Sequence, residues 1–140
     1  MPGTPTRMRS STLLLASLTG IAAVAGVAAI WAGVSIFMRS NAPWMAVLAA
    51  LDAALLLRLS GMVPGRSRAS AAVAIVVLTT MLAGFFISAA RIGFSLGLRP
   101  ADALWRMSSE LSWLYVSANA GWPELLWLLA GCALAWRLGR

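Results

Sequence analysis

The chain has 140 residues, of which 61% are hydrophobic and only 11% are charged. A soluble domain of this size keeps much of its surface in water and carries about a quarter charged residues. The composition therefore excludes an ordinary soluble domain and indicates an integral membrane protein. The formal charge of +7 comes from arginine alone, since the chain has no lysine. The arginines lie at the ends of apolar runs and form no single basic face, which excludes nucleic acid as a partner.

Few side chains in the sequence are suited to catalysis or metal binding. Histidine is absent, which excludes imidazole ligation of haem or zinc and histidine-activated nucleophiles. The single cysteine, Cys132, lies in an apolar run and is interpreted as a small hydrophobic side chain. We therefore expect a protein that is not an enzyme and has no catalytic, cofactor-binding or metal site.

Apolar stretches divide most of the chain into candidate spans. Residues 1–11 form a short polar lead that we predict to be disordered and cytoplasmic, and residues 12–140 are predicted to form one membrane domain. Each apolar stretch is close to the ~20 residues that a helix needs to cross a bilayer, and none alternates like a barrel strand. The predicted transmembrane helices are 12–38, 44–63, 69–94 and 122–138. The fold class is thus an all-α integral membrane protein with four spans.

The first predicted span carries a stripe of small residues along one side. Its members are Ala22, Gly26, Ala29 and Gly33. Small residues at this spacing let helix backbones approach closely. The stripe therefore predicts a packing face. We expect it to pack within the monomer, the alternative being contact with another subunit.

Two of the predicted helices begin with recognisable signals. Asn41 is predicted to cap the second helix, and Pro43 fits its first turn, where a missing N–H costs nothing. Glu124 follows Pro123 in the first turn of the last span, where a negative charge suits the helix dipole. That dipole interaction is sufficient to explain Glu124.

Asp52 is the candidate intramembrane polar site. It lies near the middle of the second predicted span, where an ionised carboxylate costs about 2.5–3.5 kcal/mol. Such a residue binds an ion, carries a proton or holds a partner's arginine. The structural alternative is a protonated aspartate that meets a hydroxyl of a neighbouring helix, such as Thr79, Thr80 or Ser88.

The segment between the third and fourth spans is amphipathic. Over residues 101–118, apolar side chains recur at helical spacing while Asp102, Arg106 and Glu110 recur every four residues. Three charges make spanning costly, so we predict one interfacial helix on the membrane surface. A candidate outer-face patch for a ligand or partner comprises Arg91, Arg99, Asp102, Arg106 and Glu110. The alternative is a solvated helix face.

The arginines also predict an orientation. With a cytoplasmic N-terminus, seven arginines lie inside and four lie outside, in agreement with the positive-inside rule. The inside set is Arg7, Arg9, Arg58, Arg66, Arg68, Arg137 and Arg140, and the outside set is Arg39, Arg91, Arg99 and Arg106. We therefore predict a multi-pass protein of a bacterial inner membrane with both termini cytoplasmic.

The functional expectation follows mainly from the absence of histidine and of catalytic or metal-binding patterns in the sequence. We expect a non-enzymatic accessory or interaction subunit of a membrane assembly, whose partners are the lipid bilayer and either a larger membrane protein or further copies of this chain. The alternative is a small oligomeric transporter or channel that uses Asp52. A third possibility is a membrane enzyme acting on lipid through Asp102 and Glu110.

Overall fold

The computed structural model describes residues 10–61, 63–119 and 121–140. Within these ranges the chain is helical and contains no strand, so the prediction of an all-α protein is confirmed. The helices are α1 (Ser10–Met38), α2 (Met45–Leu59), α3 (Arg66–Ser95), α4 (Pro100–Arg106), α5 (Ser109–Asn119) and α6 (Trp122–Gly139). Most of the predicted polar lead lies outside the described residues, and Ser10 and Ser11 already belong to α1.

Helix α3 is the centre of the fold. It contacts α1, α2, α4, α5 and α6, and α2 also packs along α6. The buried side chains between these helices are mostly alanine, and two clusters form the core. One cluster joins α1, α3 and the start of α2 around Trp31 and Ile87, and the other joins α2, α3 and α6 around Val76. Small side chains at these contacts allow the helix axes to lie close together.

Much of the apolar surface of the molecule is uncovered. Among the described residues, two helices are long and apolar enough to cross a membrane, over Gly20–Met38 and Arg66–Ser95. Large side chains such as Ile21 and Phe37, which are 66% and 91% exposed, point away from the rest of the chain. A soluble monomer rarely exposes apolar area on this scale, whereas hydrocarbon would solvate it.

The small-residue stripe of α1 points outward, so the expectation that it packs within the monomer is wrong. Ala22, Gly26, Ala29 and Gly33 are all exposed. A Cβ added at Gly26 or Gly33 would meet nothing within 4 Å. The reason is that α1 packs through its other side, where Ala28, Ala32 and Ser35 are buried, so the stripe is left unpartnered in this chain.

Helix α2 begins later than predicted, and Asn41 does not cap it. The residue before α2 is Trp44, which makes no capping hydrogen bond through its side chain. Residues 39–44 instead fold back beside α1, and Ala42 is fully buried there. This path requires positive φ at Arg39 (53°) and Ala42 (46°), a conformation that costs a non-glycine residue about 1 kcal/mol.

The predicted single helix over 101–118 is two helices, so that prediction needs correction. Helix α4 ends at Arg106, Met107 is extended, and α5 begins at Ser109. Ser108 caps the start of α5, because its hydroxyl accepts the backbone N–H of Leu111 at 3.2 Å. Both helices pack against α3.

Candidate functional site

A half-enclosed cleft of about 270 Å³ lies among α1, α3, α5, α6 and the α1–α2 connection. Its surface is predominantly apolar. The walls are formed chiefly by Met81, Gly84, Ile87, Val116, Leu125 and Leu128. The cleft also has a polar corner, where Asn41, Gly121 and Glu124 meet. An apolar volume with a few converging polar groups is the usual form of a small-molecule site.

The Glu124 carboxylate is the centre of the polar corner. The side-chain amide of Asn41 donates to Oε1 at 3.1 Å, and the backbone N–H of Gly121 donates to Oε2 at 2.9 Å. The second bond is a capping interaction that fixes Glu124 in the first turn of α6. The first bond joins α6 to the α1–α2 connection across 83 positions of sequence.

The α1–α2 connection is held so that Asn41 faces the cleft. The indole Nε1 of Trp31 donates to the Asn41 carbonyl oxygen at 3.0 Å, and the Ala42 N–H donates to the Ser40 hydroxyl at 3.1 Å. The Ser35 hydroxyl donates to the Ser40 carbonyl oxygen. The connection folds back against α1, which removes some of its backbone groups from solvent, and these hydrogen bonds satisfy them. The position of Asn41 is therefore fixed by α1.

Helix α5 forms the outer wall of the cleft, and its position depends on close packing against α3. A Cβ built on Gly84 would lie 3.2 Å from a methyl group of Val116, and one built on Gly93 would lie 2.6 Å from the Ala103 side chain. Glycine at these two positions therefore lets α5 and α4 approach α3 closely. Without that approach, α5 could not place Tyr115 and Asn119 beside the cleft.

The hydroxyl groups along the α3 wall are already bonded within the helix. Thr80 donates to the Val76 carbonyl oxygen at 2.8 Å, and Ser88 donates to the Gly84 carbonyl oxygen at 2.7 Å. These side chains therefore present mainly their carbon atoms to the interior of the cleft. The polarity of the site is concentrated at Glu124.

Asp52, the predicted intramembrane site, lies on α2 and does not line the cleft. It is partly buried, and within the described chain its carboxyl group makes neither a hydrogen bond nor an ion pair. The hydroxyls considered as its structural partners bond elsewhere, since Thr79 donates to Ile75 and Ser88 to Gly84. The structure thus offers Asp52 no internal partner among the described residues.

The residues of the predicted outer-face patch do not form one site. Arg99, Asp102, Arg106 and Glu110 are exposed, and Arg91 is partly buried. Among the described residues none of these charges forms an ion pair, and the helix break separates Arg106 from Glu110. Atom Nη2 of Arg91 is buried without a hydrogen-bond partner.

Sequence reasoning missed the pairing of Asn41 with Glu124. Asn41 was expected to cap α2, and Glu124 was explained by the helix dipole alone. Local signals could not reveal the pairing, because it depends on how the α1–α2 connection folds back in space. No group of three potential metal-ligating side chains occurs in the part of the chain that the structure describes.

Comparison with known protein families, with curated protein sequences and with solved structures found no match to this chain.

Proposed function

We propose that this chain is a small four-span protein of a bacterial inner membrane and acts as a non-enzymatic accessory subunit of a membrane assembly. The outward-facing stripe of α1 carries the proposal. Ala22, Gly26, Ala29 and Gly33 are exposed on a helix that is long and apolar enough to cross a membrane. In lipid, such stripes are the surfaces on which helices associate, because the backbones can approach closely. A larger membrane protein or another copy of this chain would occupy that surface.

The ends of the helices support the proposed topology. The Arg68 side chain donates from Nε to the Gly139 carbonyl oxygen at 3.0 Å and from Nη2 to the Leu138 carbonyl oxygen at 3.1 Å. The start of α3 therefore lies beside the end of α6, with Arg66, Arg68 and Arg137 close to the same end of the bundle. An arginine-rich end is the one expected in the cytoplasm.

The test is purification of the tagged chain from its native membrane in mild detergent, comparing Ala29→Leu with Ala74→Leu. Both alanines are exposed, but only Ala29 belongs to the stripe. We expect a stoichiometric membrane partner with the wild type and with Ala74→Leu, and its loss with Ala29→Leu, because leucine holds the two backbones apart. A partner retained equally by both variants would contradict the role of the stripe. A chain that is monomeric and alone in every case would contradict the accessory function.

A second candidate function, a small oligomeric transporter or channel, is favoured by Asp52. An intramembrane carboxyl group without a partner in its own chain is expected to serve an ion pathway or a neighbouring subunit. Under this function, Asp52→Asn inserts normally but abolishes flux in proteoliposomes, while Glu110→Gln leaves flux unchanged. Unaltered flux through Asp52→Asn would exclude Asp52 as the coupling or pore residue.

A further inference from the structure

We propose that the cleft beside Glu124 binds one phospholipid whose head group carries a primary ammonium, with part of an acyl chain lying along the apolar walls. The inference rests on the proposed membrane location of the chain, but it does not depend on the accessory role.

The walls of the cleft suit a hydrocarbon chain. Its lining side chains include Met81, Val116, Leu125 and Leu128, and the hydroxyl of Thr80 is bonded to its own helix. The volume of about 270 Å³ is just below the range of about 300–1,000 Å³ that is typical of drug-sized ligands. The cleft therefore has room for a segment of one flexible chain.

The polar corner suits a cation that can donate hydrogen bonds. The groups that donate to the Glu124 carboxylate are the Asn41 amide and the backbone N–H groups of Gly121 and of Glu124 itself; all are neutral, and no arginine of the described chain forms an ion pair with it. A carboxylate has about four acceptor sites, so it can accept a further donor. An ammonium group would donate a charge-assisted bond there and would balance the negative charge.

Aromatic rings strengthen the case for a cation. Trp31 and Tyr115 both line the cleft that Glu124 closes. The face of an aromatic ring attracts a positive charge at close range. Trp31 is only 5% exposed and its indole N–H donates to the Asn41 carbonyl oxygen, so the partly buried Tyr115 is the ring more open to a ligand.

The positions of the two parts of the site match the orientation of a lipid. Glu124 lies in the first turn of α6, and Leu128 lies one turn further along the same helix. Helix ends of a spanning bundle lie near the head-group layer, and one turn inward leads toward the hydrocarbon. A lipid with its ammonium at Glu124 would therefore have its acyl chain directed along the apolar walls.

Native mass spectrometry of the purified full-length protein tests the site. The probes are phosphatidylethanolamine, phosphatidylcholine and phosphatidylglycerol with identical acyl chains, titrated separately. We expect one tight phosphatidylethanolamine site, with about tenfold weaker binding of phosphatidylcholine, whose trimethylated ammonium has no N–H to donate. Equal affinity for all three lipids, preference for phosphatidylglycerol, or no tight site would overturn the proposal.

Glu124→Gln tests the head-group contact, and Glu110→Gln is the matched control because Glu110 is exposed on α5. We expect Glu124→Gln to lower phosphatidylethanolamine affinity about tenfold, to the level of phosphatidylcholine, and Glu110→Gln to leave it unchanged. Unchanged selectivity in a folded Glu124→Gln protein would overturn the proposal.

Met81→Trp decides the question if Glu124→Gln does not fold. Met81 lines the cleft and its side chain is exposed, so tryptophan there would occupy the apolar wall without entering the contact between Val116 and Gly84. Loss of the tight site supports the proposal, and wild-type affinity in Met81→Trp excludes the cleft. A chain that stays in solution without detergent would instead refute the membrane location, so the two failures are distinguishable.

Discussion

Single atoms decide how closely the helices of this protein approach one another. Gly131 of α6 faces the backbone of α2, where an added Cβ would lie 2.8 Å from the Ala46 carbonyl oxygen and 3.1 Å from its carbon. Backbone atoms cannot rotate away as a flexible side chain does, so either helix would have to move. Gly33 of α1 differs, because an added Cβ there would meet nothing within 4 Å.

Gly131→Ala is therefore expected to lower the free energy of unfolding by about 1–3 kcal/mol through overpacking. Gly33→Ala is the control, and it should be neutral or raise that free energy by about 0.5–1 kcal/mol, because alanine favours the helix. Unfolding in detergent micelles, followed by tryptophan fluorescence, measures both. Equal effects of the two substitutions would contradict the close contact between α2 and α6.

The hydrogen bond between Asn41 and Glu124 makes a second prediction at the scale of residues. A bond to a charged group contributes about 1.5–3 kcal/mol when buried. This pair is only partly buried, so we expect a coupling free energy of roughly 1 kcal/mol. A double-mutant cycle of Asn41→Ala and Glu124→Ala measures it, because alanine at either position removes the bond.

Asn119→Ala supplies the control for that cycle. Its side chain also lies beside the cleft, but it donates to the Tyr115 carbonyl oxygen one turn earlier in α5. The effects of Asn119→Ala and Glu124→Ala on unfolding should therefore add. Additivity of Asn41→Ala with Glu124→Ala would show that the 3.1 Å contact contributes nothing measurable.

At the scale of elements, the division between α4 and α5 controls the outer wall of the cleft. Met107 is extended, and Ser108 caps α5 by accepting the Leu111 N–H. The break between α4 and α5 changes the direction of the chain, so that Val116 of α5 packs against Gly84 of α3. One continuous helix over the same residues would follow a straight axis, so the cap is part of what forms the cleft.

Ser108→Ala should weaken the start of α5 by about 0.5–2 kcal/mol, since the capping acceptor is lost. Ser117→Ala is the control, because its hydroxyl bonds only to the Leu114 carbonyl oxygen within the helix and is exposed. Hydrogen exchange of the peptide covering α5 provides the measurement. Faster exchange in both variants, or in neither, would argue against Ser108 as the cap.

At the scale of the whole molecule, the proposed orientation has a cytoplasmic N-terminus. A membrane-impermeant maleimide tests it in a Cys132→Ser background. Ser67 and Ser109 are both exposed, at the start of α3 and of α5 respectively. With a cytoplasmic N-terminus, Ser109→Cys should label in intact cells, and Ser67→Cys only after permeabilisation. The reverse pattern would invert the proposed topology.

The sequence predicted those features that depend on local composition. Apolar runs located α1, α3 and α6, because helix formation in a hydrophobic stretch follows from length and periodicity. The direction of the small-residue stripe and the pairing of Asn41 with Glu124 could not be predicted. Both depend on which helix faces pack together, and that is decided by contacts between distant segments. The break at Met107 went unpredicted, because helical spacing continues across it.

The unequal lengths of the neighbouring helices α2 and α3 have a consequence for the surrounding lipid. Helix α2 has 15 residues and is about 22 Å long, whereas α3 has 30 residues and is about 45 Å long. In the proposed four-span arrangement, a hydrocarbon layer of about 30 Å is longer than α2 and shorter than α3, so the two helices would impose opposite hydrophobic mismatches. The bilayer would thin beside α2, while α3 would tilt or extend into the head groups. Such a protein is expected to partition into regions where membrane thickness varies.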